Sequence, residues 1–240
     1  MLRRFFLPAL NFILPTTCAA CGQVVGSQEG PVLCAPCFND LKIHKGPQCY
    51  RCATQVDALF ARPDLQCAPC LSNPPAFFAA RAGLIYTQTA RQLILGLKHA
   101  NRQVNADLLA RYMAQTLPDL RAPILIPVPL HIHRLRARGF NQSLSLARAV
   151  QRIRPLPLAA QALIRTRDTP SQGAQSARGR LSNVTGAFAI QDAQAIHGRD
   201  VILVDDVITS GATARALSHL IIKAGAESVF ILAAARALPK

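Results

Sequence analysis

The stretch that most constrains the fold of this chain is Val201 to Thr213, with the sequence VILVDDVITSGAT. Four apolar residues, three of them β-branched, run directly into Asp205 and Asp206. This order predicts a buried parallel strand that ends in a site. Apolar residues then recur at helical spacing as far as Gly225, which predicts a helix over 214–224. The intervening loop therefore opens a helix.

This loop has the composition of a phosphate site. Hydroxyl groups at Thr209, Ser210 and Thr213 flank Gly211 and Ala212, where the backbone can approach a ligand closely. The helix N-terminus adds free N–H groups and a partial positive charge. We therefore expect these five residues to bind a phosphate group.

The two carboxylates need a different partner, because bare carboxylates repel phosphate. Vicinal ribose hydroxyls donate hydrogen bonds to Asp205 and Asp206, and a Mg²⁺ ion bridges the remaining negative charges. The combination predicts a ribose 5-phosphate site. The stretch 201–213 resembles the phosphoribosyl-pyrophosphate motif of type I phosphoribosyltransferases.

Three alternatives use the same residue types. A response-regulator receiver needs its acidic pair near the start of the domain, whereas too little chain follows Asp206 here. A nucleotide P-loop needs a lysine after its glycine, but Gly211 is followed by Ala212, Thr213 and Ala214. An ordinary strand, loop and helix with a solvated Asp pair is the remaining alternative.

The amino-terminal third contains all eight cysteines of the chain, arranged as four Cys-x-x-Cys pairs. Each pair can present two thiolates to one ion, and the spacing between pairs suits Cys₄ zinc ribbons. We expect two structural zinc ions, with the pairs combined either sequentially or in an interleaved order. The predicted ligands are Cys18, Cys21, Cys34, Cys37, Cys49, Cys52, Cys67 and Cys70.

Metal must supply the folding free energy of this module, because about fifty residues with few large apolar groups cannot build a core. Disulfides would require an oxidising compartment. The basic, apolar start of the chain lacks a small-residue cleavage site and is broken by Pro8 and Pro15, so we expect no secretion signal. It is expected to pack as an amphipathic segment. We predict a cytoplasmic protein without a transmembrane segment.

The net charge indicates acidic ligands. The chain has 27 Lys and Arg against 12 Asp and Glu, a formal charge of +15. Phosphorylated sugars and nucleic acid both fit this balance. Aromatic residues make up only 5% of the chain and are not interleaved with the arginines, which disfavours a base-stacking platform.

A second informative stretch follows the apolar run 124–128, which predicts another buried strand. The next segment, 129–142, is expected to form a loop in the same crevice as the acidic pair, because neighbouring parallel strands end at one edge of the sheet. Arg134, Arg136 and Arg138 would then surround the crevice and offer donors to pyrophosphate.

Further segments complete the predicted organisation. His131 and His133 are interpreted as residues of an extended segment at the rim and not as metal ligands. Residues 73–75 form a linker, and the polar, arginine-rich segment 165–187 is predicted to be a lid over the site.

The whole pattern resembles the ComF family of late-competence proteins, which have an amino-terminal zinc finger and a type I phosphoribosyltransferase-like domain. The residues that carry the resemblance are the four cysteine pairs, the helix end at Lys98, and the segments 128–130, 138–142, 180–183 and 201–213. It implies an α/β fold with a mostly parallel sheet, with a double zinc ribbon in residues 1–75 and the phosphoribosyltransferase-like domain in 76–240.

The resemblance also implies roles for individual residues. Asp205 and Asp206 would be the catalytic pair that binds the ribose diol, and Thr209 to Thr213 would bind the 5-phosphate. Candidates for the pyrophosphate or the lid are Lys98, Arg134, Arg136, Arg138 and Arg180. Ser210 stands where the family more often has threonine.

Phosphoribosyl transfer needs no protein nucleophile, because pyrophosphate leaves from an oxocarbenium-like centre with its charge held by Mg²⁺ and arginines. The resemblance thus implies binding of phosphoribosyl pyrophosphate with Mg²⁺ and transfer to an unidentified acceptor, in DNA uptake or DNA utilisation. The alternative is a non-catalytic module of the DNA-uptake machinery that binds phosphoribosyl pyrophosphate or single-stranded DNA.

Overall fold

A computed structural model describes residues 16–26, 32–57, 59, 62, 64–100, 102–168 and 186–238 of the chain. Its strands are β1 (Thr16–Thr17), β2 (Val24–Gly26), β3 (Ala79–Ile85), β4 (Pro123–Pro127), β5 (Leu163–Arg165), β6 (Phe188–Ile190), β7 (Asp200–Ile208) and β8 (Ser228–Arg236). Its helices are α1 (Ala35–Asp40), α2 (Ala68–Ser72), α3 (Gln88–Ala100), α4 (Gln103–Ala114), α5 (Ile132–Arg138), α6 (Gln142–Ile153) and α7 (Ala212–Lys223).

The central sheet has four parallel strands in the order β3, β8, β7, β4. Its middle strands β7 and β8 are buried along nearly their whole length. They are continuous apolar runs because both faces of the sheet are covered. The predicted α/β fold with a mostly parallel sheet is confirmed.

The alternation of side chains along β7 divides the core into two layers. Ile202 and Val204 face the layer that contains α3, α4 and α6. Val201 and Leu203 face the layer that contains α7. The acidic pair follows in the same alternation, so the two carboxylates begin on opposite faces of the sheet.

Two local predictions were wrong. Strand β7 does not end at the acidic pair but continues to Ile208, because its register with β8 persists as far as the pair Ile208 and Arg236. Part of the predicted loop 129–142 is the helix α5, capped at its N-terminus by His131 and at its C-terminus by Gly139 with φ +81°. The capping groups compensate for the short length of this helix.

The cysteine-containing segments pack against the free edge of the sheet. Ile43 forms an antiparallel bridge with Leu84 of β3, and the N–H of Ile85 donates to the carbonyl of Lys42 at 2.8 Å. The N–H of Ala80 donates to Arg51 at 2.7 Å. These contacts cover an edge that would otherwise be open to pairing with another chain.

Several predictions fall outside the described residues. The amino-terminal amphipathic segment, most of the predicted lid, and Arg180 belong to this group. The domain boundary at residues 75 and 76 stays a prediction. Within the described part of the chain, no helix is both long and apolar enough to span a bilayer.

Candidate functional site

The eight cysteines form two groups of four, and the pairs combine sequentially. Within each group all sulfur atoms lie within 4.8 Å of one another. The first group contains Cys18, Cys21, Cys34 and Cys37, and the second contains Cys49, Cys52, Cys67 and Cys70. The interleaved alternative is therefore excluded.

Both groups have the dimensions of a tetrahedral zinc site. The sulfurs of Cys21 and Cys34 are 3.7 Å apart, and those of Cys52 and Cys67 are 3.6 Å apart. A tetrahedral ion with Zn–S bonds of about 2.3 Å has S···S edges of about 3.8 Å. Four thiolates complete such a shell, so the two groups fit structural zinc.

Similar local turns build the two groups. Cys34 and Cys67 each precede the sequence Ala-Pro-Cys and cap a short helix, α1 or α2, with proline in its first turn. In the other half of each group, the N–H of Gly22 donates to Cys18 and that of Ala53 donates to Cys49, both at 2.9 Å. The cysteine-containing module thus consists of two similar structural units.

The thiols of each group have divergent acidities. Burial raises the pKa of Cys52, but hydrogen bonds from Thr54 and neighbouring thiols outweigh it and lower that pKa to about 7. Burial, with the negative charge of Cys52 acting in the same direction, raises the pKa of Cys67 to about 11, although a hydrogen bond from the backbone of Cys70 opposes this rise. A divalent cation stabilises all four as thiolates, which is the form that binds zinc.

The predicted phosphate loop surrounds a small cavity of about 30 Å³ at the start of α7. Gly211 is the N-cap of α7 and has φ +75°, a conformation that glycine adopts without steric cost. A Cβ atom built at Gly211 would meet no atom within 4 Å, so the space beside it is open. The cavity is lined by Asp205, Val207 and the residues from 208 to 214, together with Val128, Leu203 and Ile231.

Asp205 belongs to this cavity and has an unusual environment. Its Oδ1 accepts from the backbone N–H of Asp206 at 2.8 Å and lies 3.4 Å from the hydroxyl of Ser143. Removal from bulk water, followed by the negative charge of Asp206, raises the pKa of Asp205 well above its ordinary value. Both effects favour the neutral form of the Asp205 carboxyl over its ionised form.

Asp206 forms an ion pair with Lys98 at the end of α3. The Asp206 side chain is 8% exposed and that of Lys98 is 26% exposed. Lys98 was predicted to face pyrophosphate or the lid; in the structure it supplies the positive charge that balances Asp206. Removal of one partner would leave the other charge buried without compensation.

The segment 138–142 joins α5 to α6 through specific capping contacts. Asn141 is the N-cap of α6, and its Oδ1 accepts from the N–H groups of Ser143 and Leu144. The amide group of Asn141 also donates to the carbonyl of Val128 at 3.0 Å, at the end of β4. Arg138 donates to Gln142 at 2.5 Å. These bonds fix the loop beside the acidic pair.

The three arginines that were predicted to surround the crevice lie on helix α5 and do not all point in the same direction. Positions 134 and 138 are four residues apart and share one helix face, whereas position 136 points elsewhere. Burial lowers the pKa of Arg138, and the charge of Asp206 opposes this effect. Arg134 lies 3.2 Å from the carboxylate of Asp168, and Arg136 is exposed. Arg138 is thus the arginine of the three that lies near the acidic pair.

Two arginines that the sequence analysis missed connect the phosphate loop to the second cysteine group. Arg236 is 5% exposed and donates to the carbonyl groups of Ile208, at 3.0 Å, and Thr209. Arg215 of α7 donates to the carbonyl of Asn73 at 2.8 Å, and its guanidinium is 3.9 Å from the sulfur of Cys70. The signal for Arg236 was a cation that ends an otherwise apolar strand.

A cavity of about 800 Å³ lies between these two parts of the molecule. Its lining includes Cys52, Thr54 and Cys70 on one side and Thr209, Gly211 and Arg215 on the other. The second cysteine group is therefore a direct neighbour of the candidate phosphate site.

Two family models match the two parts of this architecture. The model of the double zinc ribbon domain matches residues 9–71, and the model of the phosphoribosyl transferase domain matches residues 141–238. The glutamine phosphoribosylpyrophosphate amidotransferase of B. subtilis is 23% identical, with a TM-score of 0.36, over 52% of this chain and 25% of that one.

Two curated proteins match most of the chain. It is 31% identical over 215 residues to DNA utilization protein YhgH of Escherichia coli (strain K12), covering 86% of this chain and 91% of the relative. It is 30% identical over 213 residues to Competence protein F of Haemophilus influenzae, covering 85% and 90% of the two chains.

The fold and the two Cys₄ groups define a phosphoribosyltransferase-like protein with an amino-terminal double zinc ribbon. The two curated relatives cover both parts of this arrangement. The chain belongs to the ComF family.

Proposed function

We propose that this protein binds phosphoribosyl pyrophosphate with Mg²⁺ and transfers the phosphoribosyl group to an acceptor. The observation that carries the proposal is the cavity at the N-terminus of α7, bounded by Asp205 and the hydroxyl-rich loop 209–213. This cavity combines hydrogen-bond donors suited to a phosphate group with an acidic side chain. The names of the two curated relatives support a role in DNA utilisation or competence.

Each part of the ligand has a proposed partner. The 5-phosphate accepts hydrogen bonds from the backbone and hydroxyl groups of 209–213, and the ribose hydroxyls contact Asp205 and Asp206. Arg138, which interacts electrostatically with Asp206, is the proposed contact of the pyrophosphate. When bound, Mg²⁺ supplies positive charge to the pyrophosphate, and carboxylate oxygens are ligands that it prefers.

In the proposed reaction the bond between the anomeric carbon and the pyrophosphate oxygen breaks. A bond forms from that carbon to the acceptor, and pyrophosphate leaves with the electron pair. A proton leaves the acceptor when its attacking group carries one. The protein contributes positioning and electrostatic stabilisation.

Calorimetry on the full-length, zinc-loaded chain tests the binding step. Ribose 5-phosphate and phosphoribosyl pyrophosphate would be titrated with and without Mg²⁺. We expect Mg²⁺-dependent binding of phosphoribosyl pyrophosphate that weakens at least tenfold when Asp205→Asn and Asp206→Asn are combined. Asp192→Asn is the matched control, since Asp192 is exposed and caps a turn through Ala195. The proposal is contradicted if neither ribose 5-phosphate nor phosphoribosyl pyrophosphate binds at millimolar concentration.

Release of pyrophosphate in the presence of a panel of bases and other amines tests the transfer step. Turnover with one acceptor class, lost in the double Asp variant, supports an enzyme. Binding without turnover across the panel supports a non-catalytic module.

A second candidate function is the binding of single-stranded DNA without transfer. A groove of about 1050 Å³ runs between α5, α6 and β5, and its lining includes Arg148, Arg152 and Arg165. Each phosphate contact contributes about −0.7 to the slope of log affinity against log salt for single strands. Replacing Arg148 and Arg152 with alanine should therefore flatten this slope by about 1.4, and an unchanged slope would contradict DNA binding in this groove. Replacing Arg134, Arg136 and Arg138 tests in the same way whether α5 contributes.

A further inference from the structure

Three side chains of metal-binding type converge at the N-terminus of α5. His131 caps this helix, His133 lies in its first turn, and Asp168 comes from the chain that follows β5. A backbone bridge between His131 and Arg165 brings these two segments together. Candidate ligand atoms of the three residues all lie within 4.8 Å of one another.

Their spacing matches a coordination shell better than a set of hydrogen bonds. One oxygen of Asp168, Oδ2, is 3.6 Å from Nδ1 of His131 and 3.6 Å from Nδ1 of His133. This distance is too long for a hydrogen bond. It is close to the edge of about 3.4 Å between ligands of a tetrahedral ion with bonds of about 2.1 Å.

Surrounding contacts orient two of the three residues. The second oxygen of Asp168, Oδ1, is 3.2 Å from Nε of Arg134, which leaves Oδ2 directed at the imidazoles. An outer partner of this kind is typical of carboxylates that bind metals through one oxygen. His131 is 9% exposed, and its Nδ1 lies 3.4 Å from the N–H of His133, a weak contact that an ion would replace.

We propose that His131, His133 and Asp168 form a site for one divalent first-row transition metal ion, separate from the two Cys₄ sites. Two imidazoles and one carboxylate suit zinc and its neighbours in the series, whereas Mg²⁺ prefers oxygen ligands. The side chain of His133 is 70% exposed and that of Asp168 is 38% exposed, so the remaining coordination positions face solvent.

The proposed metal site lies at the same end of the sheet as the acidic pair. Burial, followed by the charge of Arg134, lowers the pKa of Arg165, while Asp168 and Asp205 both oppose this change. A single guanidinium therefore interacts with carboxylates of both sites. An ion at the proposed site would add positive charge at this end of the sheet.

Cobalt titration of the full-length chain, with both Cys₄ sites already filled by zinc, tests the proposal. Calorimetry counts the bound ions, and visible spectroscopy identifies their ligands, because thiolate-bound Co²⁺ shows sulfur-to-metal charge-transfer bands that nitrogen and oxygen ligands lack. We expect one equivalent of Co²⁺ to bind with d–d bands alone, and the zinc content to stay at two.

Variants that keep the fold make the test specific. His133→Ala and Asp168→Asn should each weaken Co²⁺ binding at least tenfold, because each removes one of three ligands. His219→Ala, at an exposed histidine of α7, should bind Co²⁺ as the natural sequence does. The proposal is overturned if no further ion binds at submillimolar Co²⁺, if binding survives in both ligand variants, or if His219→Ala abolishes it.

Discussion

Arg236 and Thr54 are 182 residues apart in the sequence, yet Nη2 of Arg236 donates to the hydroxyl of Thr54 at 2.6 Å. The same hydroxyl lies 3.2 Å from the sulfur of Cys52, and Nη1 of Arg236 holds the carbonyl groups at the start of the phosphate loop. When Cys52 is a thiolate, Thr54 donates its proton to sulfur and accepts from Arg236. A continuous path of hydrogen bonds thus joins the second cysteine group to the candidate site.

This path predicts that Thr54→Val weakens ligand binding without removing zinc. The substitution keeps the shape of the side chain but leaves buried Arg236 without one acceptor, which costs about 1.5 kcal/mol of folding stability. Because the same guanidinium holds carbonyl groups at the start of the phosphate loop, we expect the affinity for the ligand to fall by up to about tenfold. Calorimetry with phosphoribosyl pyrophosphate and Mg²⁺ measures the affinity. Hydrogen exchange at the amides of 209–213 gives a readout independent of the ligand and should become faster.

Thr116→Val is the matched control for this prediction. The hydroxyl of Thr116 likewise makes an internal hydrogen bond, to the carbonyl of Met113 at 2.9 Å, but Thr116 lies just after the end of α4. Equal exchange rates in the two variants would show that Thr54 does not position the loop.

The sequential combination of cysteine pairs predicts the zinc content of double variants. Cys21→Ser with Cys34→Ser removes two ligands from one group, so one zinc ion per chain should remain. Cys21→Ser with Cys52→Ser removes one ligand from each group, and both ions should be weakened or lost. Metal analysis of the purified variants distinguishes these outcomes, and a loss of both ions in the first variant would contradict the observed grouping.

The acidity of Asp205 predicts a dependence of stability on pH. Its folded pKa is raised, so its contribution to stability is fully present below its unfolded value, near 4, and is lost as the pH rises through the folded value. The variant Asp205→Asn lacks this loss. Its free energy of unfolding, relative to the natural sequence, should therefore increase with pH by about 1.4 kcal/mol per unit of the shift.

Urea denaturation between pH 5 and pH 8, without Mg²⁺ or phosphate, measures this difference. Asp192→Asn serves as the control, because that exposed residue caps a turn and should show little change in relative stability over this range. If the difference in the free energy of unfolding between Asp205→Asn and the natural sequence does not change with pH, the pKa of the Asp205 carboxyl is not raised in the folded state.

Alanine variants at two glycines with similar backbone conformations distinguish the effect of backbone strain from the loss of a ligand contact. Gly211 and Gly198 have φ values of +75° and +67°, and a Cβ atom at either position meets no atom within 4 Å. Alanine at each position should cost about 1–2 kcal/mol of stability through strain. Only Gly211→Ala should also weaken binding of ribose 5-phosphate, because only Gly211 lines the phosphate cavity. Equal affinities in the two folded variants would contradict the assignment of this loop.

Features that depend on local residue order could be predicted from the sequence alone. The apolar run 201–204, the acidic pair and the glycine-containing loop identified β7, the candidate phosphate site and α7, because strand burial, hydroxyl placement and helix initiation are properties of neighbouring residues. The spacing of the cysteines likewise identified two zinc sites, since a Cys-x-x-Cys turn presents both sulfurs to one ion whatever lies around it.

The contacts between groups that are distant in the sequence became apparent in the folded structure. It selected the sequential combination of cysteine pairs, paired Lys98 with Asp206, and placed Arg236 between the second cysteine group and the phosphate loop. It also brought Asp168 to the histidines of α5. Periodicity and spacing carry no information about such contacts, because these depend on how the sheet and helices pack and on which charges that packing removes from water.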